Sequence, residues 1–241
     1  MVTGFGDSHI LAIMISTRIT TALSLALLLA ACGDASDEAP SCTASATYGQ
    51  VSICLPTLDG YTEAYGEPAV SARADEAELP TNEVLAFYLT DEQHARVESL
   101  GDQQIDDYVK VFATRDLADE TLGIGDLAYV REQVLRLYGG EVSEEMQARM
   151  DAVDIDERRL GQPRLLEEYR LTDDSFTLVI AVRYRQPDGS TQEVLETLNG
   201  VLTRGRYVNV GVYRTVDGEA DLAALKATND AVLRAFLAAN A

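Results

Sequence analysis

The sequence predicts an α+β fold, a mainly antiparallel sheet covered by helices in an α/β sandwich. Three observations predict it. The chain from Leu165 to Arg214 breaks into four strand-like runs joined by short turns, a C-terminal four-strand meander. The segment after it, Asp221–Ala239, carries apolar residues at helical spacing. Earlier strand patterns precede a helical stretch rather than alternating with helices, so parallel βαβ units are not indicated.

Taken in order, Gln50–Leu55 reads as a strand stopped by Pro56. Leu58–Pro80 is rich in Gly, Pro, Ala and acids and reads as loop with a short helix. Glu83–Leu89 alternates Val84, Ala86 and Tyr88 against Leu85, Phe87 and Leu89; Asp107–Thr114 alternates again, with Val109, Val111 and Ala113 on one side. Ile124, Leu127, Ala128, Val134, Leu135 and Tyr138 fall near one helix face, stopped by Gly139-Gly140. Val142–Val153 reads as a second, acidic helix. The meander follows as Leu165–Leu171, Phe176–Arg185, Thr191–Thr203 and Tyr207–Arg214, with Pro187-Asp-Gly-Ser190 and Arg204-Gly205 as turn signals. Leu222, Leu225, Val232, Leu233, Phe236 and Leu237 form the buried stripe of the last helix.

The N-terminus carries an address. Ile19–Ala31 is uncharged and Leu-rich behind Arg18, the length of a signal-peptide core and too short to cross a bilayer. Translation from Met14 gives a more ordinary start than Met1, because residues 1–13 carry Asp7 and no positive charge. Leu29-Ala30-Ala31-Cys32 resembles the lipobox of bacterial lipoproteins. That resemblance implies cleavage before Cys32, diacylglycerol on its thiol and acylation of its amino group, and two or more chains anchor stably. The expected organisation is then a signal peptide over 1–31, a tether over 32–47 and one domain over 48–241. The absence of an Asp directly after the Cys leans towards the outer membrane.

Charge narrows the partners. The chain holds 40 acids against 19 lysines and arginines, a net −21, which argues against nucleic acid. The surplus is uneven: residues 33–157 hold 7 bases and 28 acids, whereas residues 158–214 hold 9 arginines and 7 acids. The plain expectation is that the arginine-bearing segment packs against the acidic one. The sharper one is an arginine patch for an anion, with Arg183, Arg185, Arg204, Arg206 and Arg214 as candidates. Once Cys32 is lipidated, Cys42 and Cys54 remain, and in an oxidising compartment an even pair reads as a disulfide.

Catalytic signatures are sparse. His94 is the one histidine beyond the signal segment, so His-rich zinc sites are excluded and a Ser-His-Asp triad would depend on it. Gly123-Ile-Gly125-Asp-Leu-Ala128 matches a dinucleotide fingerprint in letters but follows a polar stretch rather than a strand. Glu167-Glu168 and Asp173-Asp174 are consecutive acids, and strand neighbours face opposite ways. Asp151, Asp154, Asp156 and Glu157 lack EF-hand spacing.

Gly205-Arg-Tyr-Val-Asn-Val-Gly-Val-Tyr213, an acidic turn and a helix ending Ala238-Ala-Asn240 resemble the end of PsbP-like α/β/α domains. That resemblance implies an accessory or assembly protein and assigns no residue a role. The resulting expectation is a periplasm-facing envelope lipoprotein, held to the membrane by its lipid. It would be a non-catalytic binding or assembly accessory without cofactor, with an envelope protein as partner. The alternatives are a carboxylate-dependent hydrolase and a divalent-cation-binding protein.

Overall fold

In the computed structural model the first element is a hairpin of β1 (Ala44–Tyr48) and β2 (Val51–Leu55), turning through Gly49. The structure describes residues 42, 44–97, 105, 107–139, 154–155, 158–160, 163–185, 189–215 and 220–241. The signal segment, Cys32, most of the tether and the acidic stretch Val142–Val153 lie outside the described residues. The tether expected to reach residue 47 gives way earlier, because Ala44–Thr47 already pair with Ser52–Leu55.

The elements that follow are β3 (Tyr61–Glu63), α1 (Pro68–Glu76), β4 (Asn82–Thr90), the one-turn α2 (Asp91–His94), β5 (Tyr108–Thr114) and α3 (Ile124–Gly139). After them come β6 (Asp154–Ile155), β7 (Arg158–Leu160), β8 (Arg164–Tyr169), β9 (Ser175–Arg185), β10 (Thr191–Thr203), β11 (Arg206–Thr215) and α4 (Ala220–Ala239). Among the described residues the main sheet has nine strands, in the order β3-β4-β5-β11-β10-β9-β7-β6, with β8 also paired to β9. Every pairing is antiparallel, so the fold is α+β as the sequence predicts.

Period-two alternation sends side chains to two faces. On the back face Val109, Val111, Ala113, Val208, Val210 and Val212 pack with Leu225, Val232, Leu233 and Phe236 of α4, and with Tyr48, Ile53 and Leu55 of the hairpin. On the front face α3 covers Phe176, Leu178, Ile180 and Leu198, while α1 covers Val84, Phe87 and Leu89. The β10–β11 turn has Arg204 at φ 49° and Gly205 at φ 73°, the two positive values a type I′ hairpin requires. Gly49, at φ 59°, is required by contact as well: a Cβ there would stand 1.9 Å from the Ala118 carbonyl oxygen. That turn therefore docks on the loop between β5 and α3.

Candidate functional site

The front face carries a strip of aromatic and charged side chains across β4, β5, β11 and β10. Register places Phe87 opposite Lys110, Tyr108 opposite Tyr213, Lys110 opposite Gly211 and Tyr213 opposite Glu196. The Phe87 and Tyr108 rings stack at 4.8 Å between centroids, and the Tyr108 and Tyr213 rings at 4.4 Å. Gly211 has no side chain to lift the next ring, and the Tyr213 ring lies across it, 2.7 Å from where a Cβ would stand.

Lys110 sits inside this strip. Its Nζ is 4.8 Å from the Phe112 centroid and 5.4 Å from that of Tyr213, within cation–π range. It meets Glu78 Oε2 at 2.6 Å, with the two side chains only 11% and 8% exposed. The contact is a close ion pair rather than an aligned hydrogen bond. The other Glu78 oxygen accepts from the Leu79 amide at 3.0 Å and from Asn82 Nδ2 at 2.8 Å. Glu196 is the third charge. Burial pushes its carboxyl up to about 7; the Lys110 ammonium opposes the rise and the Glu78 carboxylate adds to it. Although the residue is half-buried, its carboxyl behaves as a group removed from water.

The strip thus offers one carboxyl that gains or loses its proton near neutrality, beside a fixed Lys–Glu pair and aromatic walls. Both oxygens of Glu78 are committed, so Glu196 and Glu78 do not form two free carboxyls for hydrolysis of the glycosidase kind. Among the described residues no three His, Cys, Asp or Glu groups converge to hold a metal ion.

A second polar system, invisible in the apolar pattern, lies on the back face. Asn229 of α4 and Asn199 of β10 exchange amide hydrogen bonds at 2.7 and 3.2 Å. Thr177 donates to the Asn199 side-chain oxygen at 2.7 Å and Thr197 to that of Asn229 at 2.6 Å. Asn199 Nδ2 also donates to the Val210 carbonyl, and Asn229 Nδ2 to the Tyr169 hydroxyl, which in turn donates to Asp230 at 2.9 Å. Burial, then the Asp230 bond, pushes the Tyr169 phenol up to about 12. Asn240 completes the set by accepting from the Cys54 amide at 2.8 Å and donating to the Cys54 carbonyl at 2.9 Å. It ties the chain's end to β2 beside the Cys42–Cys54 disulfide, whose sulfurs are bonded.

The structure divides the arginine candidates. Arg185 pairs in register with Thr191, whereas Arg206 pairs with Thr203 at the far end of β10. Twelve residue steps of extended strand separate the two ends, about 40 Å. Arg183 and Arg185 therefore share one end, Arg204 and Arg206 the other. Arg183 meets Glu193 at 2.9 Å across the strand, Arg185 is exposed, and Arg214 lies 3.8 Å from Asp107. Arg204 donates to the Ser52 carbonyl at 3.0 Å, and Arg206 is buried.

The remaining candidates are structural. Glu167 meets Lys226 of α4 at 2.6 Å and Glu168 pairs with Arg131 of α3, so these consecutive acids do serve opposite faces. Asp126 accepts from the Gly123 amide at 2.8 Å, a cap on α3, and the antiparallel sheet gives Gly123–Ala128 no dinucleotide setting. His94 closes the one-turn α2, whose start is a Thr90–Gln93 capping box. Asp173 and Asp174 are exposed in the turn before β9.

No family model matches the chain. No curated protein matches it either. Among solved structures it is similar to the Saccharomyces cerevisiae Ran-binding protein Mog1p, at 13% identity and a TM-score of 0.37, over 79% of this chain and 89% of that one.

Proposed function

We propose that the chain is a cell-envelope lipoprotein, anchored through Cys32, whose α+β domain serves as a non-catalytic binding or assembly accessory. The observation that carries the reading is the Cys42–Cys54 disulfide. It accounts for two of the three cysteines and leaves Cys32, directly behind Leu29-Ala30-Ala31, as the remaining thiol. A disulfide suits an oxidising compartment, where a lipobox cysteine is processed. The stretch from Cys32 to the first strand is short, so the domain would stand close to its membrane. No described helix is long and apolar enough to cross a membrane.

Metabolic labelling with palmitate in a bacterial host tests the anchor. Label is expected on the wild-type chain, and C32S is expected to lose it and leave the membrane fraction. A C32S chain that keeps both label and membrane association refutes the anchor. For the binding role, affinity isolation from detergent-solubilised envelope is expected to return the same envelope protein in independent preparations; repeated isolation of the chain alone counts against it.

A further inference from the structure

Arg206 is the one charged residue among the buried described residues, 8% exposed, in a chain with 40 acids. Its environment is unlike that of the other inward-lying cations. Lys110 has Glu78, Arg131 has Glu168, Arg214 has Asp107 and Lys226 has Glu167. Arg206 has no carboxylate: its Nη1 donates to the Glu120 carbonyl, to Thr121 Oγ1 at 3.2 Å and to the Gly205 carbonyl at 3.5 Å. These partners are neutral and all lie on one side of the guanidinium. Its Nε is buried with no acceptor, and the hydrogen bonds of the guanidinium all leave from Nη1.

A buried full charge without a counter-charge is costly, and an unsatisfied buried donor adds to that cost. Nε and Nη2 form the edge of the guanidinium that presents two parallel N–H donors, the geometry that receives two oxygens of one carboxylate or phosphate. The frame around this edge is fixed. Gly49 packs its turn on the Ala118 carbonyl, the Leu122 amide donates to the Gly205 carbonyl at 2.9 Å, and Thr121 Cγ2 lies against Gly205. The loop's own acids, Asp119 and Glu120, are exposed and make no ion pair with Arg206. Arg204, two residues away on the same turn, is exposed and adds positive charge to this end of the sheet.

We propose that Arg206 is the centre of an oxyanion-binding site at the β10–β11 turn, where its Nε–Nη2 edge receives two oxygens of a carboxylate or phosphate group. The site does not depend on the anchor or on the front strip. It is tested on the full chain in non-ionic detergent, titrated with sodium phosphate, sodium acetate or sodium chloride at matched ionic strength. Phosphate, acetate or both are expected to raise the thermal midpoint saturably beyond chloride, as ligands specific to the folded state do. In R206K the saturable rise is expected to vanish, because lysine keeps the charge without the two-donor edge. A second reading needs no variant: the Arg206 Nε–H resonance of the wild-type chain is expected to shift with the same saturation curve. A response to phosphate alone identifies a phosphate site, and a response to acetate identifies a carboxylate site. Equal responses to all three salts, or an Nε–H resonance that none of them moves, overturn the proposal.

Discussion

Replacing Glu196 with Gln should change how the stability of this protein depends on pH. Burial raises the Glu196 carboxyl from 4.5 to about 7 in the folded chain. An acid raised on folding binds its proton more tightly in the native state, so native stability falls as pH rises from about 4.5 through 7 and the penalty is complete above that. At about 1.4 kcal/mol per pKa unit the penalty approaches roughly 3 kcal/mol, and solvent screening at a half-buried residue brings it nearer 2. Glutamine carries no such charge. E196Q should match the wild type near pH 4.5 and exceed it by about 2 kcal/mol at pH 8, or a midpoint higher by about 4–8 °C for a domain of this size. Thermal unfolding of both proteins at several pH values between 4.5 and 8 measures the difference directly. Acids remote from Glu196 cancel in that difference. A difference that stays flat with pH would show that the carboxyl is solvated and that Lys110 and Glu78 do not enclose it.

Three further outcomes follow from contacts already described. Asn229→Leu leaves Thr197 without its partner inside the back face, takes one partner each from Asn199 and Tyr169, and should cost about 3 kcal/mol, with hydrogen exchange accelerating along α4 in the folded state. Gly49→Ala combines a φ of 59° with a Cβ placed 1.9 Å from the Ala118 carbonyl oxygen, so a loss of at least about 2 kcal/mol in chemical denaturation is expected. Removing the Cys42–Cys54 bond by C42S and C54S together should cost about 3 kcal/mol by loop entropy, and proteolysis should then cut first within β1 and β2.

Most of the architecture was legible because each main strand carries its own period-two pattern. The expected Thr191–Thr203 coincides with β10, and the expected Tyr207–Arg214 falls one residue inside β11 at each end. What escaped was decided by tertiary contact. Ala44–Thr47 is small and polar in composition and reads as the end of the tether; it is strand because Tyr48 behind it buries itself under the sheet and its hydroxyl donates to the Thr114 carbonyl at 2.6 Å. The three-residue β3 is too short to show a period at all. Asn229 and Asn240 did leave a readable mark: each falls on the same helical stripe as Leu225, Val232 and Phe236, where a polar residue is out of place unless something answers it.

The same contrast separates the two arginine readings. Uneven charge along the chain suggested that the arginine-bearing segment packs against the acidic one, and Arg214 with Asp107 and Arg131 with Glu168 do cross between those segments. Such pairing is non-specific in kind, since any nearby acid can serve an arginine at the surface. Arg206 differs because the fold encloses it before an acid reaches it: β11 starts there, the turn at Gly205 is tight, and the loop through Thr121 closes over Nη1 with carbonyl and hydroxyl oxygens only. Nothing in the letters distinguishes Arg206 from Arg204 or Arg183, because the distinction lies in which side of the guanidinium the loop covers. Acids outnumber bases two to one here, so leaving the most enclosed of the described arginines without a carboxylate is not a shortage of partners. It is an arrangement that keeps one bidentate edge uncommitted, and an anion from outside the chain is what that edge fits.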